Sequence, residues 1–76
     1  MTVAPHHSIE ELQLLAKKQK EVRFHLRFQA VILAKGGQPA RAIAQILNVT
    51  ERSVQSWIHR YNENKDSGLI DSPRPG

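Results

Sequence analysis

Apolar residues recur along this chain at intervals of three and four, and the intervals break at a few defined places. Ile9, Leu12, Leu15 and Ala16 form the inner stripe of a first helix over about residues 9–19. Ahead of it, Ser8-Ile-Glu-Glu11 reads as a capping box, in which the hydroxyl accepts from an amide three residues on and the carboxylate reaches back. A second helix is expected from about Glu21 to Lys35, stopped by Gly36-Gly37. Its apolar residues form two stripes: Val22, Leu26, Ala30 and Leu33 on one, Phe24, Phe28, Val31 and Ile32 on the other. A helix apolar on two sides is packed between neighbours or buries one side in an oligomer. The first option makes it the central helix; a homodimer through Phe24 and Phe28 is the minority reading. A third helix runs from near Pro39 to near Leu47, with Ile43 and Leu47 on one face. A fourth runs from about Glu51 to Asn62 or slightly beyond, with Val54, Trp57, Ile58 and Tyr61 as its buried stripe. No strand pattern or repeat is visible. The pattern therefore predicts an all-α chain of four helices: a flexible lead at 1–7, a helical domain at 8–64, and a Pro/Gly-rich tail or linker at 65–76.

The short connection between the third and fourth helices carries the most information. Ala44 stands where two crossing helices approach most closely, and Asn48 falls at the corner, where the backbone turns left-handed and Gly or Asn is easiest. Val49 tucks beneath the turn, and the Thr50 hydroxyl is placed to cap the fourth helix. Small or apolar residues at Ile43, Ala44, Leu47, Val49, Val54 and Trp57 are what a helix-turn-helix of the homeodomain-like kind requires. Such a unit presents the outer face of its second helix to the major groove of double-stranded DNA. At about 100° per residue, Arg52, Gln55, Ser56 and His59 share that outer face. These types have the groups that read base edges: a guanidinium for guanine, a carboxamide for adenine, a hydroxyl or imidazole for either partner. Arg41, Thr50, Ser53, Arg60 and Lys65 flank the face as candidates for the phosphate backbone. The bland alternative is an exposed helix face that is polar only because water is there.

Size and charge narrow the picture. A chain of 76 residues makes one small domain, which buries only about 60% of its unfolded surface. It has no cysteine, so neither disulfides nor thiolate metal sites supplement the core. Eleven Lys and Arg against seven Asp and Glu give +4 and favour a polyanionic partner. No apolar run approaches membrane-spanning length, and the N-terminus lacks the basic and apolar regions of a signal peptide. A cytoplasmic, nucleoid-associated protein is expected. Adjacent His6 and His7 read as solvated, and His25 as a surface or packing residue. Glu63, Asp66 and Asp71 surround a helix end and the tail, a spacing that suits solvation better than a metal site. No nucleophile–base pair or phosphate loop is present, so no catalytic residue, metal or cofactor is assigned and enzymatic activity is not expected.

Taken in order, Arg23-Phe-His-Leu-Arg-Phe-Gln-Ala-Val-Ile-Leu-Ala-Lys-Gly36, the helix-turn-helix, and Ser67-Gly-Leu-Ile-Asp-Ser-Pro-Arg-Pro-Gly76 resemble one family. The chain resembles the N-terminal DNA-binding region of mariner-superfamily transposases, especially the bacterial insertion-sequence branch, from about Ser8 to Gly76. The motif set runs Ile-Ala-x-x-Leu-x-Val-Thr, then Val-x-x-Trp, then Gly-Leu-x-Asp-x-Pro-Arg-Pro-Gly. The resemblance implies recognition of the terminal inverted repeats of a mobile element. In such transposases a second helix-turn-helix and a catalytic domain with metal-binding carboxylates usually follow; neither is in this sequence. A fragment of a transposase and a small stand-alone protein derived from such a gene are therefore both expected readings. The resemblance also implies that Arg74, extended between Pro73 and Pro75, follows the minor groove, against a plain interdomain linker. The competing functions are a stand-alone transcriptional regulator, and a protein-interaction module anchored by Phe24 and Phe28.

Overall fold

Ser8 opens the first helix as its spacing predicts. In a computed structural model, which describes residues 2–70, the Ser8 hydroxyl accepts from the Glu11 amide at 3.1 Å and Glu11 Oε1 accepts from the Ser8 amide at 2.8 Å. Those bonds satisfy two groups that a helix start otherwise leaves unpaired. They also hold the Glu11 carboxyl below its ordinary pKa, chiefly through the Ser8 backbone N–H. Helix α1 then spans Ile9–Lys18. Its last turn is closed at Ala16, whose carbonyl accepts from the Gln19 amide at 3.1 Å and from His25 Nδ1 at 3.0 Å. His25 thus joins α1 to the next helix, a packing role.

Helix α2, Val22–Lys35, is the central element and packs on α1, α3 and α4. It ends because Gly37 takes φ 102°, a conformation that L side chains rarely adopt. The amides of Gly36, Gly37 and Gln38 then satisfy the last carbonyls of the helix. Helix α3 spans Ala40–Leu47, preceded by Pro39 in extended geometry, and α4 spans Glu51–Asn64. A single 3-10 turn, Lys65–Gly68, follows. Among the described residues there is no strand, and the fold is all-α, with four α-helices consistent with a homeodomain-like arrangement.

Leu12, Phe28, Val31, Ile43, Val54, Tyr61 and Leu69 are fully buried and draw every helix into one core. Phe24 and Phe28 are among the buried residues of this single chain. The alternative of a dimer through Phe24 and Phe28 therefore has no exposed patch behind it, since both rings are buried within the fold. Val22 departs from its expected stripe at 72% exposed, and Ile9 from its own at 37%. Both are first-turn residues, lying before their helix meets its neighbours.

Two segments expected to lie outside the helical core are tied to it. In the lead, the Ala4 amide donates to Asn62 Oδ1 and the Asn62 side-chain amide donates to the Thr2 carbonyl, both at 2.7 Å. His6 Nε2 donates to the Asn62 carbonyl at 3.0 Å, and His7 Nδ1 lies 2.8 Å from the Tyr61 hydroxyl. His6 and His7, expected to be solvated, are half-buried around the Tyr61 ring instead. Past α4, Leu69 is fully buried and Ile70 packs against the core. Gly68 allows that return: a Cβ there would lie 2.3 Å from the Arg60 carbonyl oxygen. Arg74 lies outside the described residues.

Candidate nucleic-acid interface

The corner between α3 and α4 is built as its residues require. Asn48 adopts φ 58°, ψ 48°, the left-handed region, and the Val49 amide donates to the Ala44 carbonyl at 2.9 Å. Ala44 is buried and Val49 half-buried beneath the turn. Thr50 Oγ1 accepts from the Ser53 amide at 3.1 Å, capping α4, and donates to Ser53 Oγ at 2.9 Å. The second bond shares one hydroxyl proton between Thr50 and Ser53, which leaves the pair one proton for an outside acceptor.

Val54, Ile58 and Tyr61 turn inward from α4, while Arg52, Gln55, Ser56 and His59 are all exposed. The amphipathic division predicted from spacing is thus present, and the four polar side chains lie along one outer face. His59 Nε2 lies 3.9 Å from Glu63 Oε1 one turn on, in a pair open to solvent. Arg41, Thr50, Arg60 and Lys65 are exposed around the face, and Ser53 is half-buried. Trp57, expected as a core aromatic, is instead half-buried at the edge of the core. Its position on α4, between the inward stripe and the Ser53–Arg60 flank, explains the difference.

A model of the helix-turn-helix domain family matches residues 26–76, which is most of α2, both helices of the corner and everything beyond. The chain belongs to the helix-turn-helix domain family. Its partner by that architecture is DNA. Comparison with curated proteins found no match, and comparison with solved structures found none. Among the described residues no helix is long and apolar enough to cross a membrane, and no cluster of three or more His, Cys, Asp or Glu could hold a metal ion.

In this helix-turn-helix domain one structural residue is not singled out by helical periodicity. Arg27 reaches from α2 to lie over the rings of Phe24 at 5.5 Å and Trp57 at 5.9 Å, and its Nη1 donates to the Leu69 carbonyl at 3.0 Å. It therefore joins α2, α4 and the returning segment. The signal that could have found it is Arg23-Phe24-x-x-Arg27, two cations one turn apart around an aromatic ring, a spacing that places both over the same face.

Proposed function

We propose that this helix-turn-helix domain binds double-stranded DNA sequence-specifically, with α4 in the major groove. The carrying observation is the joint exposure of Arg52, Gln55, Ser56 and His59 on the face of α4 opposite its buried stripe. Arg52 grips guanine with two parallel donors and Gln55 pairs with adenine, so these two provide most discrimination. Ser56 and His59 add contacts to bases or phosphates. Arg41, Ser53, Arg60 and Lys65 hold the backbone, which positions the module without carrying sequence information. Thr50 acts chiefly as the cap that orients Ser53. A module of this size buries about 600–1,000 Å² on DNA, so tight binding requires a second module or copy.

The target we infer is the terminal inverted repeat of a mobile element, read by the N-terminal module of a transposase. The support is the order of motifs through Gly76, with Arg74 assigned to the minor groove. Selection from random duplexes at fixed ionic strength tests both levels. A recovered motif matching the ends of a neighbouring mobile element is the expected result; a motif matching a promoter instead would select the regulator reading. Arg52→Ala is expected to cost about 1–3 kcal/mol on the selected site and to relax preference at one base pair. Equal loss on every sequence would make Arg52 a phosphate contact. The protein-interaction reading loses support because Phe24 and Phe28, its anchors, are buried.

A further inference from the structure

The net positive charge of this chain does not reside on its reading helix. Helix α4 carries Arg52 and Arg60 against Glu51 and Glu63, a formal charge of zero. Lys17, Lys18, Lys20, Arg23 and Arg27 follow one another where α1 hands over to α2, with Glu21 as the one carboxylate in that stretch of sequence, although Lys18 also lines a surface hollow with Glu11 and His7. Elsewhere six cations and six carboxylates cancel, so this corner accounts for the whole formal +4. A duplex is attracted mainly through its phosphates, and a neutral reading helix supplies little of that attraction.

The corner is also in the right place. Lys17, Lys18, Lys20 and Arg23 are exposed. Arg23 lies over the Phe24 ring at 4.8 Å and pairs with Glu21 at 3.3 Å. Arg27 lies over the same ring and over Trp57. The run Arg23, Phe24, Arg27, Trp57 connects the corner to the flank of α4 that carries Ser53 and Arg60, beside the reading face. The dipole of α1 accounts for a cation in its last turn. It does not account for Lys20 and Arg23, which lie past the end of that helix and add like charge to it.

We propose that the α1–α2 corner is a second DNA-binding surface, in which Lys17, Lys18, Lys20 and Arg23 hold phosphates of the duplex flanking the groove that α4 occupies. Arg27 positions the corner against α4. This assignment rests on the DNA-binding reading above. It concerns the phosphate backbone and predicts affinity without sequence preference.

The test uses the full chain, with K17Q/K18Q/K20Q, R23Q and, at the far end of α2, K35Q as a charge control. Binding to a selected duplex and to a random one is measured by fluorescence anisotropy between about 50 and 200 mM salt, and thermal melts establish that each variant folds. In the corner variants the slope of log K against log salt should fall by about 0.9 for each phosphate that is no longer neutralised. Affinity should drop equally on both duplexes, base preference should be retained, and K35Q should leave the slope unchanged. An unchanged slope in the corner variants, or the same loss per charge in K35Q, overturns the proposal. So does a corner that loses binding to phosphatidylserine vesicles but not to DNA. If selection recovers a motif read by Arg52 while corner slopes stay unchanged, only the corner assignment falls. If no motif emerges but the corner slopes fall, base reading by α4 fails and the corner stands.

Discussion

Leu69→Ala is the sharpest test of how far the folded unit extends. Leu69 lies past the last helical turn, in a segment whose composition predicts only turns, yet its side chain is fully buried with Tyr61 and Phe28 in the same core. Removing three buried carbons costs the lost transfer energy plus a cavity, about 2–5 kcal/mol for a Leu→Ala change in a core. At about 0.05–0.15 kcal/mol per residue, a domain of this size has only about 4–11 kcal/mol in total. In small domains each kcal/mol moves Tm by about 4–8 °C, so even the low end lowers it by about 8 °C or more. The assay is loss of helical circular dichroism on heating, with urea unfolding as a second probe. Val22→Ala, at an exposed position, serves as the control and should stay within about 0.5 kcal/mol of the parent. If Leu69→Ala melts within about 2 °C of the parent, the segment after α4 contributes no core and the reasoning fails.

Trp57→Ala should destabilise the fold by less than the roughly 3–5 kcal/mol of a fully buried aromatic, because Trp57 is half-buried at the core edge. Urea midpoints measure it, and a loss of about 3–5 kcal/mol would place the indole deeper than its exposure implies. Alkaline pH gives a separate test: burial raises the Tyr61 hydroxyl above its ordinary value of 10.0. The stability this contributes is complete below that value and is lost as pH rises through the folded pKa, so Tyr61→Phe should flatten the alkaline limb of a stability–pH curve. An unaltered limb in that variant would remove Tyr61 as its source.

The features legible in the sequence are those set by local chemistry. A serine three residues ahead of a glutamate fixes the start of α1, paired glycines end α2, and an asparagine stands where the chain turns left-handed. The outward face of α4 follows from periodicity alone, because helical spacing decides which side chains can share a side. What periodicity does not show is set by contacts between distant residues. Nothing near His7 indicates Tyr61, 54 positions away. Turn-forming composition shows that residues 65–70 cannot continue a long helix, but says nothing about whether Leu69 is buried. Phe24 is a local neighbour of Arg27, whereas the Trp57 ring and the Leu69 carbonyl reach it from other parts of the chain. A helical wheel places Trp57 too deep because it gives direction and not distance from the core.

These distant contacts matter for function because they converge on the helix that would read DNA. At about 1.5 Å per residue, α4 extends about 21 Å while α3 extends only about 12 Å. The shorter helix cannot support the whole of the longer one, and the far half of α4 must rest on other partners. Arg27 and α2 approach Trp57 on one flank, and Gly68 closes against the backbone of Arg60. On the opposite flank Asn62 holds Thr2 and Ala4, and its carbonyl, one of the last that α4 leaves without an internal partner, is satisfied by His6. Segments that the pattern of helices alone would treat as appendages therefore fix the end of α4. The direction in which α4 presents His59 and Arg60 consequently depends on residues 2–7 and 65–70 as well as on the corner at Asn48.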